Sequence, residues 1–199
     1  MILQVRKYGD PVLRKKGIRI ETITPEIKQL AGDMLETMQA ANGVGLAAQQ
    51  VGWALQMTVL DVRDITDRPS VLCIGGQPVG LEVLMPLVLV NPQVCSAGEP
   101  VTGPEGCLSF PEIYSDIARP AAIEVTGLNI LGERVEFWCS GLLARAIQHE
   151  VDHLNGILFI DRMDSDSKRE LKPELETLQN TTKTELQPKA TTLYAAQSA

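Results

Sequence analysis

Both histidines of the chain fall in one stretch, Gln148-His149-Glu150-Val151-Asp152-His153-Leu154. The pattern is His-Glu-x-x-His. On a helix, side chains four residues apart share a face, roughly 5–6 Å apart at Cβ. The two imidazoles are therefore expected to reach one metal ion together. Glu150 follows the first of them closely enough to touch a water on that ion. A divalent metal lowers the pKa of a bound water from about 15.7 to near 7. A carboxylate beside it then moves the proton. The chemistry these three residues suggest is metal-assisted hydrolysis. As a bare pattern they also fit ordinary histidines on a charged helix.

Catalytic zinc-type sites use three protein ligands and an open position, so two histidines leave the set unfinished. A metzincin pattern would continue through Gly156 to a third histidine, but Phe159 stands there and cannot coordinate. A thermolysin-like site needs a later glutamate; Glu170, Glu174, Glu176 and Glu185 all lie in a polar tail. Four cysteines remain. Cys73 and Cys95 sit in or beside apolar runs, and Cys139 follows Val135, Phe137 and Trp138, so these read as small buried hydrophobes. Cys107 stands in Pro104-Glu105-Gly106-Cys107-Leu108-Ser109-Phe110-Pro111. Glycine and proline on both sides predict an irregular loop from which a thiolate can be aimed. A closed structural metal site, and a thiol enzyme using Cys107 with a histidine base, stay open as alternatives.

Several elements must bring these residues together. Leu142, Leu143, Ala146 and Ile147 precede the histidines at helical spacing, which predicts a helix with one buried face. Ser140 is its expected N-cap, and Asn155-Gly156 its stop. An earlier helix is predicted from Thr24 and Pro25, with Ile27, Leu30, Ala31, Met34, Leu35 and Met38 as its stripe, ending at Asn42-Gly43. Residues 1 to 23 read as mostly irregular. Residues 54 to 62, 70 to 75, 81 to 91, 122 to 130 and 133 to 139 are rich in Val, Leu and Ile and read as strands. Ile157 to Ile160 reads as one more short strand. Strands first and a helix late predict an α+β fold, with mainly antiparallel strands packed around a central helix carrying the His-Glu-x-x-His motif. Residues 1–163 are expected to form a single catalytic domain. Residues 164–199 read as an extension, partly helical although Pro173 interrupts it, and disordered or weakly ordered from Asn180 onward.

The composition is that of a globular protein: 44% hydrophobic and 22% charged. A net charge of −7 argues against nucleic-acid binding. No stretch has the length of a membrane span. Four cysteines without regular spacing do not suggest a disulfide framework. The opening residues show no presequence pattern, and the expected location is cytoplasmic.

Three motifs now stand in order: Gly43-Val44-Gly45-Leu46-Ala47-Ala48-Gln49-Gln50, then Glu105-Gly106-Cys107-Leu108-Ser109, then Gln148-His149-Glu150-Val151-Asp152-His153. Together they resemble the peptide deformylase family over about residues 1 to 163. The resemblance implies removal of the formyl group from the N-terminal formyl-methionine of nascent polypeptides at the ribosome, by a protein expected to be a monomer. It implies Cys107, His149 and His153 on the metal and Glu150 as general base. It also implies that Gln50 and the Leu108 backbone N–H hold the carbonyl oxygen under attack. Val44, Gly45, Glu105, Gly106, Leu142 and Arg145 are the expected substrate-binding residues. Arg145, one turn before His149, is expected to pair with Glu105 or orient a substrate carbonyl, or else to be a rim arginine. Ligand chemistry alone favours Zn2+ for a Cys-His-His set; the resemblance implies Fe2+, with Zn2+ or Ni2+ able to substitute. The family often has proline where Gln49 stands. It can carry arginine just after Phe110-Pro111-Glu112, where this chain has Ile113 and Tyr114. The alternative enzyme is a metalloprotease that cleaves internal peptide bonds.

Overall fold

The computed structural model of the chain describes residues 1–187. The N-terminal segment is extended apart from a 3-10 turn, Pro11–Arg14, whose N-cap Asp10 accepts the Val12 N–H. Helix α1 (Pro25–Ala40) starts as its capping residues dictate: Thr24 accepts the Ile27 N–H and Pro25 opens the first turn. Strand β1 (Gly45–Ala47), a 3-10 turn (Ala48–Val51) and β2 (Met57–Leu60) follow. Next come β3 (Ser70–Ile74) and β4 (Gln77–Val79), then two long strands, β5 (Leu87–Cys107) and β6 (Phe110–Leu128), and β7 (Arg134–Gly141). Helix α2 (Leu142–Leu154) carries both histidines, and α3 (Phe159–Arg162), α4 (Ser165–Glu170) and α5 (Lys172–Leu186) complete the described chain.

The strands form one sheet in the order β1-β2-β5-β6-β7-β3-β4, with every neighbouring pair antiparallel. Register shifts at Val90/Gln93 and Ala97/Pro100 interrupt the β5–β6 ladder. Such bulges bend a long hairpin and raise its local twist. Helix α2 lays Leu142, Leu143, Ala146 and Ile147 against Leu60, Leu72, Leu89, Ile123, Val125 and Phe137 of the sheet. Helix α1 covers Leu46, Met57, Val59, Val88 and Val90 with Leu30, Ala31, Met34 and Met38. A third cluster gathers Leu13, Phe110, Ile117, Leu158 and Phe159, with Leu175 and Leu178 of α5 against its edge. Each such buried aliphatic or aromatic side chain contributes about 1.5–3 kcal/mol over leaving it in water. Helices and antiparallel strands are thus mixed as the sequence predicts, around a curled sheet.

Local differences have local causes. Cys107 is not in a free loop. It is the last residue of β5 and faces Phe110 across the end of the hairpin, so only Leu108 and Ser109 form the turn. The stretch 81 to 91 is not one strand. It opens with a 3-10 turn, Leu81–Val83, and a cis Met85–Pro86 bond, and pairing starts at Leu87; Pro86 has no N–H to offer a ladder. The run Ile157 to Ile160 forms no strand. Leu158, Phe159 and Ile160 are apolar because they fill the third cluster, and Asp161 closes a helical turn by accepting the Leu158 N–H at 2.9 Å. Ser140 does not cap α2. It pairs in β7 with Val71 and Ala122, and Gly141, at φ +72°, makes the turn into the helix. The helical stretch around Pro173 is interrupted as expected: α4 ends at Glu170, Leu171 lies between, and Pro173 sits in the first turn of α5, where its missing N–H costs nothing. Helix α5 runs through Asn180, where order was expected to fade, as far as Leu186. The rest of that expected disorder, residues 188–199, lies outside the described residues.

Candidate active site

Two elements from separate parts of the chain meet here. The β5 terminus brings Cys107, and α2 brings His149 and His153 one turn apart, with ring centroids 5.0 Å apart. One ligand atom from each lies within 4.8 Å of the others. The Cys107 Sγ is 3.2 Å from His153 Nε2. Tetrahedral coordination with metal–sulfur bonds near 2.3 Å and metal–nitrogen bonds near 2.0–2.1 Å separates ligand atoms by about 3.3–3.7 Å. The three side chains therefore fit a single divalent ion. His149 Nδ1 lies 3.0 Å from Glu105 Oε2, so an Nδ1–H donated there leaves Nε2 for the metal.

Behind His149 the charges are buried and paired. Glu105 accepts from Arg119 Nε at 2.6 Å and Nη2 at 2.9 Å, and from Arg145 Nη1 at 2.8 Å. Arg119 also donates to Asp152 at 2.8 Å, and Arg162 donates to the same carboxylate at 2.6 Å. Burial pushes the Glu105 carboxyl up, but hydrogen bonds from His149 and Arg119 overcome it and hold the carboxyl down at about 2. Among the described residues Glu150 forms no such ion pair. Burial raises its carboxyl to about 7, against the pull of His149 and Arg119. One Glu150 oxygen, Oε2, is buried without a hydrogen-bond partner among the described residues, and so is His153 Nδ1. Burial, with the positive charge of His149, holds the His153 imidazole well below its usual range.

The glycine segment packs against this group. A methyl at Gly45 would overlap the Glu150 carboxyl, so only glycine lets β1 pass that close. A methyl at Gly106 would likewise strike the Tyr114 ring at 2.6 Å. Gln50 is buried and fixed: its Oε1 accepts the Ala47 N–H at 2.8 Å, which turns its amide N–H toward Cys107 Sγ at 3.4 Å and Ser109 Oγ at 3.2 Å.

A cavity of about 700 Å³ opens over these groups, within the range of ligand sites. Val44, Gly45, Gln50, Glu105, Gly106, Cys107, Leu108, Leu142, Arg145, His149 and Glu150 all line it. His153 lies beneath at 1% exposure. The expected residues thus converge. Glu105 lines the cavity, and its carboxylate is engaged by His149 and two arginines. Arg145 pairs with Glu105 as expected, and also donates to the carbonyls of Val101, Gly103 and Ile117. Arg119, Asp152 and Lys7 carry no pattern of their own in the sequence. Asp152, adjacent to His153, offered the nearest hint. Tyr114 lines the cavity at 66% exposure.

Comparison with known proteins agrees with this geometry. The polypeptide deformylase family model matches residues 2–169. A peptide deformylase of Opitutus terrae is 43% identical over 185 residues, covering 92% of this chain and 96% of its own length. One from Methylacidiphilum infernorum is 44% identical over 178 residues, covering 89% and 93%. The crystal structure of the Thermus thermophilus peptide deformylase superimposes with a TM-score of 0.76 at 35% identity, over 91% of this chain and 99% of that one. No helix among the described residues is long and apolar enough to cross a membrane. A Cys-His-His cluster at a cavity and sequence matches along nearly the whole chain lead to one conclusion: the chain belongs to the peptide deformylase family, and is an enzyme that removes formyl groups from the N-termini of nascent polypeptides.

Proposed function

We propose that Cys107, His149 and His153 hold one divalent ion, Fe2+ in the cell with Zn2+ or Ni2+ able to replace it, and that Glu150 is the general base. The proposed setting is a cytoplasmic monomer working on nascent chains at the ribosome. Helix α2 is read as the central metal-bearing element of a catalytic unit spanning residues 1–163, with 164–199 as an extension. When bound, the ion supplies the Lewis acidity that makes water nucleophilic near neutral pH. Glu150 takes the proton from the attacking water and returns it to the leaving amine as the formyl C–N bond breaks. Products are formate and the free N-terminus. Negative charge gathers on the formyl oxygen, where the Gln50 amide and the Leu108 N–H receive it. Losing one such donor typically costs about 2.7–4 kcal/mol of barrier. Val44 and Leu142 offer an apolar wall for the methionine side chain, and Gly45 and Gly106 leave room for the peptide beside them. Arg145, engaged by Glu105 and three carbonyls, serves this reading best by holding Glu105 on His149.

The observation that carries the base assignment is the Glu150 carboxyl: buried, wedged on Gly45, lining the same cavity as Cys107 and His149, and with one oxygen unpartnered among the described residues. The internal-bond protease is not favoured, since the relatives along the whole chain are deformylases. The test is anaerobic purification, metal analysis and assay on a formyl-methionyl peptide beside its acetylated counterpart. Glu150→Ala is expected to keep its metal and lose turnover by more than about a hundredfold. Full turnover in that variant refutes the base, and loss of the metal would move Glu150 from base to ligand.

A further inference from the structure

The two proposed oxygen-binding donors come from separate parts of the chain. Gln50 belongs to the turn after β1, and Leu108 to the tip of the β5–β6 hairpin. The last ladder pair of that hairpin is Cys107 with Phe110. The carbonyls of Leu108 and Ser109 therefore lie beyond the ladder and need other donors. One three-residue segment near the N-terminus supplies them. The Arg6 N–H donates to the Gln50 carbonyl at 2.7 Å, and the Tyr8 N–H to the Ser109 carbonyl at 2.9 Å. Between them the Lys7 ammonium donates to the Leu108 carbonyl at 2.7 Å. The Tyr8 ring stacks on Phe110 with centroids 4.8 Å apart.

Lys7 is half-buried and lines the cavity. Among the described residues it forms no ion pair with a carboxylate, and its hydrogen bond goes to the Leu108 carbonyl alone. Burial lowers the pKa of its ammonium. A charged side chain taken partly out of water and committed to one carbonyl is a costly arrangement unless that carbonyl matters. Its partner is the peptide group next to the proposed Leu108 donor.

We propose that Arg6–Tyr8 is a strap that sets the Gln50 and Leu108 donors against each other, with Lys7 as its positioning residue. This rests on the oxygen-binding roles given above. The Arg6 and Tyr8 hydrogen bonds are made by the backbone, and the Tyr8 ring also packs in the third cluster, so Lys7 is the polar link that a side-chain change removes cleanly. Lys7→Met keeps the stem and removes the ammonium. The hairpin tip then turns more freely, and the Leu108 N–H is less well aimed where charge develops. Ground-state binding of the peptide does not depend on that aim, whereas the transition state does.

The test compares metal-loaded parent, Lys7→Met, Lys7→Arg and Gln50→Ala on a formyl-methionyl tripeptide, with metal content and thermal midpoint measured on each. The expected result for Lys7→Met is a fall in kcat of about tenfold, a fraction of the loss from deleting a donor outright. KM should stay within about twofold, with metal content and midpoint close to the parent. Lys7→Arg, which restores a cationic donor, should recover most of the loss. A Lys7→Met kcat within twofold of the parent overturns the strap, as does a loss matched by lost metal or a collapsed midpoint. If Gln50→Ala falls while Lys7→Met does not, only the strap fails. If Gln50→Ala keeps its full kcat, the oxygen-binding reading fails and takes the strap with it.

Discussion

Behind the site, Arg119 donates to both Glu105 and Asp152, the three at 4%, 6% and 7% exposure. Along the C-terminal helices charges also pair, Arg169 with Asp166 and Lys172 with Glu176, but there the side chains are 78%, 81%, 68% and 62% exposed. The distances in the first pair overlap with those behind the site; the surroundings do not. Water solvates the helix pairs whether or not they meet, and exposed pairs contribute little. In the buried group each charge has left water, and its partner is what makes that tolerable. The first region is therefore brittle toward loss of a single member, and the second indifferent to it. The brittle region is also the one that touches a proposed metal ligand, through Glu105 and His149.

The sharpest way to break this contrast is Arg119→Met. It strands two buried carboxylates, Glu105 and Asp152, that share the same guanidinium. Removing one member of a buried ion pair typically costs about 3–5 kcal/mol. Arg145 still holds Glu105 and Arg162 still holds Asp152, which places the expectation toward the lower end. Urea unfolding of the metal-free protein measures it. A second readout is metal affinity, which should weaken because Glu105 no longer orients the His149 ring firmly. A loss below about 1 kcal/mol would show that the group is not a connected support.

A subtler test uses the two glutamates near His149. Glu105 is held down at about 2 and Glu150 is pushed up to about 7. The signs for stability are opposite. Glu105 has a folded value below its ordinary 4.5, so its contribution is present above pH 4.5 and fades as pH falls toward 2. Glu150 has a folded value above its ordinary 4.5, so the folded state binds the extra proton and loses stability as pH rises from 4.5 to 7. A separation of that size corresponds to about 3 kcal/mol. In metal-free protein, Glu150→Gln should therefore stabilise by up to about 3 kcal/mol at pH 8 and by almost nothing at pH 4. Denaturant titrations at the two pH values decide it, and an equal effect at both would mean that burial does not hold the Glu150 carboxyl up.

The same contrast explains what could be read from the sequence. The histidine pair was legible because helical spacing alone puts residues 149 and 153 on one face, and the α1 cap was legible in Thr24-Pro25. Pairs along α4 and α5 are three or four residues apart and equally readable. The buried group draws on positions 105, 119, 145, 149, 152 and 162, and only tertiary pairing of β5 with β6 and packing of α2 bring them together. Arg119 lies in a strand stretch with no local pattern, so no periodicity could have flagged it. Lys7 is hidden for the same reason, being 101 residues from the carbonyl it holds. Misread elements follow a related rule. Local composition alone predicts a strand at Ile157 to Ile160 and a loop at Cys107, and in each case a distant partner decides the outcome: the third apolar cluster for one, the β6 strand for the other.

The smallest expected effect belongs to Arg169→Ala. Arg169 pairs with Asp166 at 2.8 Å, but α4 is already started by Asp164, which accepts the N–H groups of Asp166 and Ser167. Asp166 also sits in the first turn of α4, where the positive helix end favours a carboxylate without help from arginine. Alanine is the better helix former, which offsets part of any lost attraction. The thermal midpoint should therefore move by no more than about 1 °C, with deformylation kinetics and metal content unchanged. Raising the salt concentration should not widen the gap, since little attraction remains to be screened. Should Arg169→Ala instead cost as much as Arg119→Met, burial would not be what separates the two regions, and the support assigned to the ring of His149 would need another origin.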